Sequence, residues 1–277
     1  MTKKPRVSIV LVTYERAQFI SQAIESVLTQ TFRDWELVVV DDSERDVVQK
    51  AVEPYAKDDS RIHYFHRPQR GTIANASNFA LQHVAGEYVA ILDDDDWWID
   101  PQKLEKQVHF LDTHPTYVGC GGGFDVVDGT GRKTGTIIKP ETDGEIRRVA
   151  LSANPMANAT TMFRTSAAEA IGGYDEAFQQ FADFDFWLSM GNQGKLYNFP
   201  ERFLAYRMWA SGSSFKHQKE NADAGWRIVW KHRKEYPGSL RAVAITGLYC
   251  IYARLPLFIR KVFNPLLSRL KKILFSA

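Results

Sequence analysis

Cysteine is almost missing: Cys120 and Cys250 are the two in 277 residues. That excludes a disulfide scaffold and a zinc site built from thiolates, and it suits a reducing compartment. Long apolar runs are missing too. Ala242–Ala253, 12 residues between Arg241 and Arg254, falls short of the ~20 needed to span a bilayer. The opening Met1–Val10 runs straight into a strand-like segment, so no signal peptide is expected. No G-x-G-x-x-G follows that first strand and no G-x-x-x-x-G-K-[ST] occurs, which argues against a dinucleotide site and a P-loop. Net charge is small as well, +2 from 35 basic and 33 acidic residues. It is unevenly spread: from Phe215 to the end there are 13 basic and 3 acidic residues, leaving the remainder at −8. An acidic body with a basic tail speaks against whole-surface nucleic-acid binding and for a local contact with something anionic. What is present is ordinary globular composition, 44% hydrophobic and 25% charged, at a length that suits one large domain or a domain with an appendage.

Arg6–Val12 is a β-branched apolar run of buried-strand length. Ile20, Ala23, Ile24, Val27 and Leu28 then repeat with the spacing of an amphipathic helix. Glu36–Val40, Ile62–Phe65 and Tyr88–Leu92 read as further buried strands. Helices are expected around Val48–Tyr55 and over Thr72–Val84. This alternation predicts an α/β fold with a parallel sheet covered on both faces. Ligands bind such sheets beyond the carboxyl ends of the strands. Three strand ends carry polar clusters, Thr13–Glu15, Asp41–Asp42 and Asp93–Asp96. They are expected to meet on one rim.

Four successive aspartates at a strand end need a reason, because like charges this close repel and raise each other's pKa. A hard divalent cation, Mg²⁺ or Mn²⁺, resolves the conflict with carboxylate oxygens. The alternative is a solvated acidic loop. The run stands directly behind a buried strand and ahead of Trp97-Trp98 and Pro101, which favours a metal–phosphate role with the tryptophans as a pocket wall. Asp41 suits capping of a turn as well as ligand contact. Asp42, with Thr13 and Glu15 on the same rim, can take hydrogen bonds from a base or ribose.

These segments, in this order, resemble the family-2 inverting glycosyltransferases of the GT-A fold, over roughly residues 5–212. The likeness is carried by Val7-Ser8-Ile9-Val10-Leu11-Val12-Thr13-Tyr14, Gln30-Thr31-Phe32 and Glu36 through Ser43. It continues in Gly86-Glu87-Tyr88-Val89, in Leu92-Asp93-Asp94-Asp95-Asp96 with Pro101 and Leu104, in Gly172-Gly173-Tyr174-Asp175-Glu176, and in Asp183-Phe184-Asp185-Phe186-Trp187. The resemblance implies a Rossmann-like, mostly parallel central sheet flanked by helices. It implies a catalytic domain over 1–212, with a nucleotide-binding half at 1–98 and an acceptor-binding half at 99–212, and a helical basic appendage at 213–277. It further implies a UDP-sugar donor, a divalent metal (Mn²⁺ or Mg²⁺) and transfer of a hexose or N-acetylhexosamine to a saccharide acceptor. Thr13, Tyr14 and Glu15 fall where the family meets the nucleoside, Asp42 where it pairs with the base, and Asn78 in a segment near the donor. Asp93 and Asp94 fall near the ribose and diphosphate, Asp95 at the metal ligand and Asp183 at the catalytic base. The chain departs from the family at Ala182, where Glu is common, and at Ser77, where Arg is common. It also reads Tyr206-Arg207-Met208-Trp209 where a His often ends the segment; His217 is the substitute the sequence offers.

Inverting transfer needs a base for the acceptor hydroxyl, a held sugar and a stabilised leaving diphosphate, and no covalent nucleophile. On residue pattern alone Asp183 is equally a base or a first-turn helix acid, with Asp185 as its neighbour and rival. The Gly121–Gly123, Asp128–Gly131 and Asn154–Asn158 segments lie in the half where the family recognises acceptors. Ile259, Val262, Phe263, Leu266, Leu270, Ile273 and Leu274 share one helical face and Arg260, Lys261, Ser268, Lys271 and Lys272 the other, with a break at Pro265. That pattern predicts an interfacial helix on an anionic membrane; its rival is a helix packed on the domain or a partner. The membrane reading places the enzyme in the cytoplasm, peripheral on the inner face of the cell membrane, near a lipid-linked acceptor in cell-surface polysaccharide synthesis. Two other readings compete. A sugar-1-phosphate nucleotidyltransferase wants a glycine-rich loop after its first strand, and Thr13–Arg16 has no glycine. A silent UDP-sugar-binding membrane protein would bind nucleotide and turn nothing over.

Overall fold

The computed structural model describes residues 4–67, 71–208 and 218–255. The expected alternation is realised as β1 (Val7–Thr13), α1 (Ala17–Leu28), β2 (Trp35–Asp41), α2 (Val47–Asp58), β3 (Ile62–His66), α3 (Ile73–Leu81) and β4 (Tyr88–Asp93). These four strands lie side by side in the order β3-β2-β1-β4, all parallel. Their side chains alternate between two buried layers. Val10, Val38, Val40, Val89 and Ile91 face one core with α3. Ile9, Leu11, Leu37, Val39, Ala90 and Leu92 face the other with α1 and α2. Both faces of β1, β2 and β4 are covered, so these read as largely apolar runs, while β3 at the sheet edge is only partly buried. The register sets Thr13 beside Asp41 and Val12 beside Asp93, so the three polar strand ends do share one rim.

The rest of the chain adds β5 (Trp97–Trp98), α4 (Lys103–Thr113), β6 (Tyr117–Val127), β7 (Lys133–Ile137), α5 (Asp143–Val149), β8 (Met162–Arg164), α6 (Thr165–Ala170), α7 (Ala182–Gly191) and β9 (Lys195–Arg207). The sheet continues from β4 through β8, β6 and β9 to β5, with β7 hung on β6. β8 is antiparallel to β4 and to β6, while β9 runs parallel to β6. The glycine-rich stretch Gly121–Gly123, to which the sequence assigned no element, is the centre of a strand. Any Cβ at Gly122 would lie 2.6 Å from the Phe203 ring: the strand is shaped for a neighbour's side chain, not for its own. Trp98 is core, its indole N–H donating to the Ala159 carbonyl at 2.9 Å. Trp97 is half-buried beside Arg207.

Two further helices, α8 (Gln218–His232) and α9 (Ser239–Arg254), complete the described chain. Ile228 and Val229 of α8 enter the same core as Val10 and Phe186. Beyond α8, the Tyr236 hydroxyl donates to the Leu188 carbonyl at 2.7 Å, joining that segment to α7. Among the described residues no helix is long and apolar enough to cross a membrane. The expected amphipathic helix from Phe258 onward, and His217, lie outside the described residues.

Candidate functional site

The β1–α1 turn, the β2 end and the start of α3 enclose a cavity of about 250 Å³ lined by Thr13, Tyr14, Arg16, Asp42, Thr72, Ile73 and Asp94, among others. Asp42 is buried there with its carboxylate 3.0 Å from the Arg67 guanidinium; burial raises its pKa and Arg67 works against that rise. Its neighbour Asp41 is turned away. One Asp41 oxygen accepts from the Ser43 amide at 2.8 Å and the other from the Tyr64 hydroxyl at 2.7 Å, so Asp41 caps the turn. Glu15 holds a left-handed φ of 57°, and its carboxylate is paired with the Arg45 guanidinium. Three residues expected at the nucleoside and base (Thr13, Tyr14 and Asp42) and one expected near the ribose and diphosphate (Asp94) therefore share the cavity, while Glu15 is engaged with Arg45. Asn78 stands elsewhere. Its amide donates to the Tyr174 carbonyl and to Glu176, each at 2.9 Å, and accepts from the Tyr174 amide at 2.8 Å. It braces the Gly172-Gly173 turn. There Gly173, at φ 78°, would place any Cβ 2.5 Å from the Asn78 oxygen.

Asp93–Asp96 continue the rim. Arg16 bridges Asp94 at 2.9 Å and Asp95 at 2.7 Å. Asp96 points inward and takes the Arg207 amide on one oxygen at 2.8 Å, and its other oxygen is buried with no hydrogen-bond partner. The Arg207 guanidinium donates to the Asp95 carbonyl at 3.0 Å and to Gln22 at 2.7 Å, clamping the turn from β9. Two guanidiniums do not balance four carboxylates. Burial, then Asp95 and Asp94, push the Asp93 carboxyl up to about 7, and burial pushes Asp94 up to about 6 against Arg16. The set consists of hard oxygens with surplus negative charge, which is chemistry that fits Mg²⁺ or Mn²⁺. No group of three or more metal-ligating side chains is gathered among the described residues. An ion here would lean on Asp95 with one neighbour, Arg16 giving way, and take the rest of its ligands from substrate and water.

Asp183 lies in the first turn of α7, behind Phe181, which has a left-handed φ of 59°. Left-handed non-glycine residues tend to collect where geometry serves a site, and the two among the described residues are Glu15, in the β1–α1 turn, and Phe181, at the start of α7. Asp183 is half-buried, accepts from the Asn154 side-chain amide at 2.7 Å, and is near enough to Asp93 to raise it. Burial lifts its own pKa above the usual carboxylate range, against the pull of the Phe184 amide, its own amide, Asn154 and Lys139. Its rival Asp185 is buried and committed, 2.9 Å from Lys231 Nζ and 2.9 Å from His232 Nε2. Arg16, Asn154, Lys139 and Arg207 belong to the site without having been assigned roles from sequence. Arg16 alone carried a signal, a cation set among rim acids. Tyr206 is also near, its phenol pushed up to about 12 by burial and then by Asp96 and Asp93.

Comparison with known proteins agrees in both sequence and fold. The sequence model of glycosyl transferase family 2 matches residues 8–172. The provisionally named glycosyltransferase EpsE of Bacillus subtilis (strain 168) is 30% identical over 220 residues, 78% of this chain and 77% of EpsE. TuaG of the same organism, named for teichuronic acid biosynthesis, is 39% identical over 39% of this chain and 42% of its own. Among solved structures, S. aureus TarS with UDP-GlcNAc superposes with a TM-score of 0.68 at 18% identity, over 91% of this chain and 76% of that one. The mannosyltransferase PcManGT of Pyrobaculum calidifontis, with GDP-Man and Mn²⁺, gives 0.65 at 17% identity, over 98% and 81%. At such identities the likeness to solved structures is one of fold.

Proposed function

The chain belongs to glycosyl transferase family 2, has the GT-A fold and is a glycosyltransferase, and on that premise we propose that it moves a hexose or N-acetylhexosamine from a UDP-sugar to a saccharide acceptor, with inversion and with a divalent cation. The observation that carries this reading is the convergence on one rim of the Asp42 cavity, the Asp93–Asp96 turn and Asp183. In it, residues 1–98 hold the nucleotide, 99–212 the acceptor, and 213–277 form the appendage.

The cavity takes the nucleoside, with Asp42 accepting from the base and Thr13 and Tyr14 beside it. Arg16, which lines the same cavity, turns from Asp94 and Asp95 to the donor phosphates and supplies the basic contact that Ser77 does not. Asp95, with Asp93 or Asp94, would hold the ion. When bound, Mg²⁺ or Mn²⁺ supplies Lewis acidity to the oxygens on which leaving-group charge develops. Asp183 takes the proton of the acceptor hydroxyl as that oxygen bonds to the anomeric carbon. The bond to the diphosphate breaks on the opposite side and UDP leaves with the electron pair. Asn154 holds the base carboxylate for that approach.

The acceptor is read as lipid-linked and the pathway as cell-surface polysaccharide synthesis. This is supported by the basic C-terminal region and by α9, which leaves Leu240 89% and Leu248 66% exposed; TuaG's name points the same way. The enzyme then docks on the inner face of the membrane.

The deciding experiment screens UDP-, GDP- and dTDP-sugars for hydrolysis and thermal stabilisation with Mn²⁺ or EDTA. UDP-sugar turnover that stops in EDTA is expected. Full turnover in excess chelator removes the metal from the reading. Stabilisation by UDP without hydrolysis or transfer, in the presence of saccharide acceptors, would instead mark a silent binder.

The raised carboxylates give a second expectation. Between about pH 4 and 7 the folded turn keeps protons that the unfolded chain has released, so stability of the metal-free protein falls as pH rises across that window. A cation removes the cause. Saturating Mn²⁺ should therefore raise Tm by about 5 °C at pH 8 and by less than half as much at pH 5.5. Scanning calorimetry at both pH values decides it; an equal gain at each would place the ion away from this turn.

A further inference from the structure

Lys139 stands in the loop between β7 and α5, and its ammonium donates to the Asn154 carbonyl at 2.9 Å. Asn154 is the residue whose side chain holds Asp183. An ammonium has three donors, and among the described residues no carboxylate lies within ion-pair distance of this one. Lys139 is half-buried, and burial pushes its pKa down while the charge of Asp183 pushes it up. The Asp183 carboxylate acts on it from beyond Asn154 without pairing with it, which leaves a partly desolvated cation with a single hydrogen bond, to the Asn154 carbonyl.

The mount is rigid. The fully buried side chain of Asn198 donates to the Pro140 carbonyl at 2.8 Å and to the Pro155 carbonyl at 3.1 Å, tying the loop of Lys139 to the loop of Asn154. Pro140 itself fixes the backbone just after the lysine. On the donor side of the cleft the rim is a run of aspartates; on the acceptor side, the base is accompanied by this one preset cation.

We infer that Lys139 receives an anionic group of the acceptor, a carboxylate or a phosphate carried near the hydroxyl that Asp183 deprotonates, so that the saccharide this enzyme extends is an acidic one. The inference rests on the placement of acceptor and base proposed above. It adds the acceptor's chemical class and the residue that selects it. An acidic acceptor would otherwise be repelled by Asp183 and Asp93; Lys139 both offsets that repulsion and fixes which edge of the sugar faces the base.

The test measures binding, by saturation-transfer NMR titration of the full chain with UDP and Mn²⁺ present. The probes are methyl β-glucoside, methyl β-glucuronide and glucose 6-phosphate. A charge-assisted contact predicts at least one anionic probe about tenfold tighter than the neutral one, and the two anions separate a carboxylate receptor from a phosphate receptor. Lys139→Gln should bring the ratio close to one and Lys139→Arg should restore most of it, with UDP affinity unchanged in both. Anionic probes no tighter than the glucoside in the wild-type protein, including no binding of any probe, overturn the inference. So does a preference that survives in Lys139→Gln. A failure of the donor reading shows separately, as absent UDP binding in every form of the protein.

Discussion

Asp183→Asn should fold, bind UDP as tightly as the parent and lose sugar transfer by about 10²–10⁴-fold, the usual span for a positioned general base. The amide keeps the size of the carboxylate and can still meet Asn154, so the α7 terminus has no reason to move; what disappears is the acceptor for the hydroxyl proton. Paired measurements of UDP-sugar consumption and UDP calorimetry read the two halves of the claim. The pH profile adds a third. Because burial holds the Asp183 carboxyl above its ordinary range, kcat/KM should climb with pH through a limb displaced upward from that range and then level off, and the limb should vanish in the variant. Transfer within a few-fold of the parent would remove Asp183 from the chemistry.

Asp185→Ala should fail in another way. This carboxylate is 2% exposed between Lys231 and His232, and removing one partner of a buried pair costs about 3–5 kcal/mol. Lys231 reaches water and keeps Asp175 at 2.9 Å, so the lower end applies, about 3 kcal/mol, or a Tm lower by roughly 6–12 °C. At a temperature where the variant remains folded, turnover with saturating donor should stay within a few-fold of the parent. A variant of unchanged stability that is catalytically dead, beside an Asp183→Asn enzyme that transfers normally, would exchange the roles of the two acids.

The legible and illegible parts of the molecule differ for physical reasons. β1, β2 and β4 could be read because a strand covered on both faces is apolar over most of its length. Glu36, near the start of β2, is buried where the Ser8 hydroxyl and the Ala85 amide meet it, and the remaining acids of these strands gather at the carboxyl ends. β6 could not be read. Its centre, Gly119-Cys120-Gly121-Gly122-Gly123, has no strand propensity of its own and is a strand because Phe203 and Trp187 fill the space above it. The cations were harder still. Arg16 stands out only as a cation among rim acids, and nothing local distinguishes Lys139 or Arg207 from a solvated surface charge, since their side chains are placed by the carbonyls of Asn154 and Asp95. Asn78 shows the opposite hazard. Its place in a familiar order suggested a donor contact, and the folded chain spends its amide on Tyr174 and Glu176. The Asp183–Asp185 ambiguity was unresolvable from spacing, because two positions along a helix turn differ in direction, and only the packing of α8 shows which one faces inward.

The join between α7 and the segment beyond it bears on how the protein can be cut. Tyr236 reaches the last turn of the helix that carries Asp183, and Lys231 and His232 reach its first. A stop codon anywhere upstream would strip away these supports together with the tail, so lost transfer in such a fragment would say nothing about lipid attachment. On the roles proposed above, a chain terminated after Tyr236 loses the tail yet keeps Lys231, His232 and Tyr236 against the helix that carries Asp183.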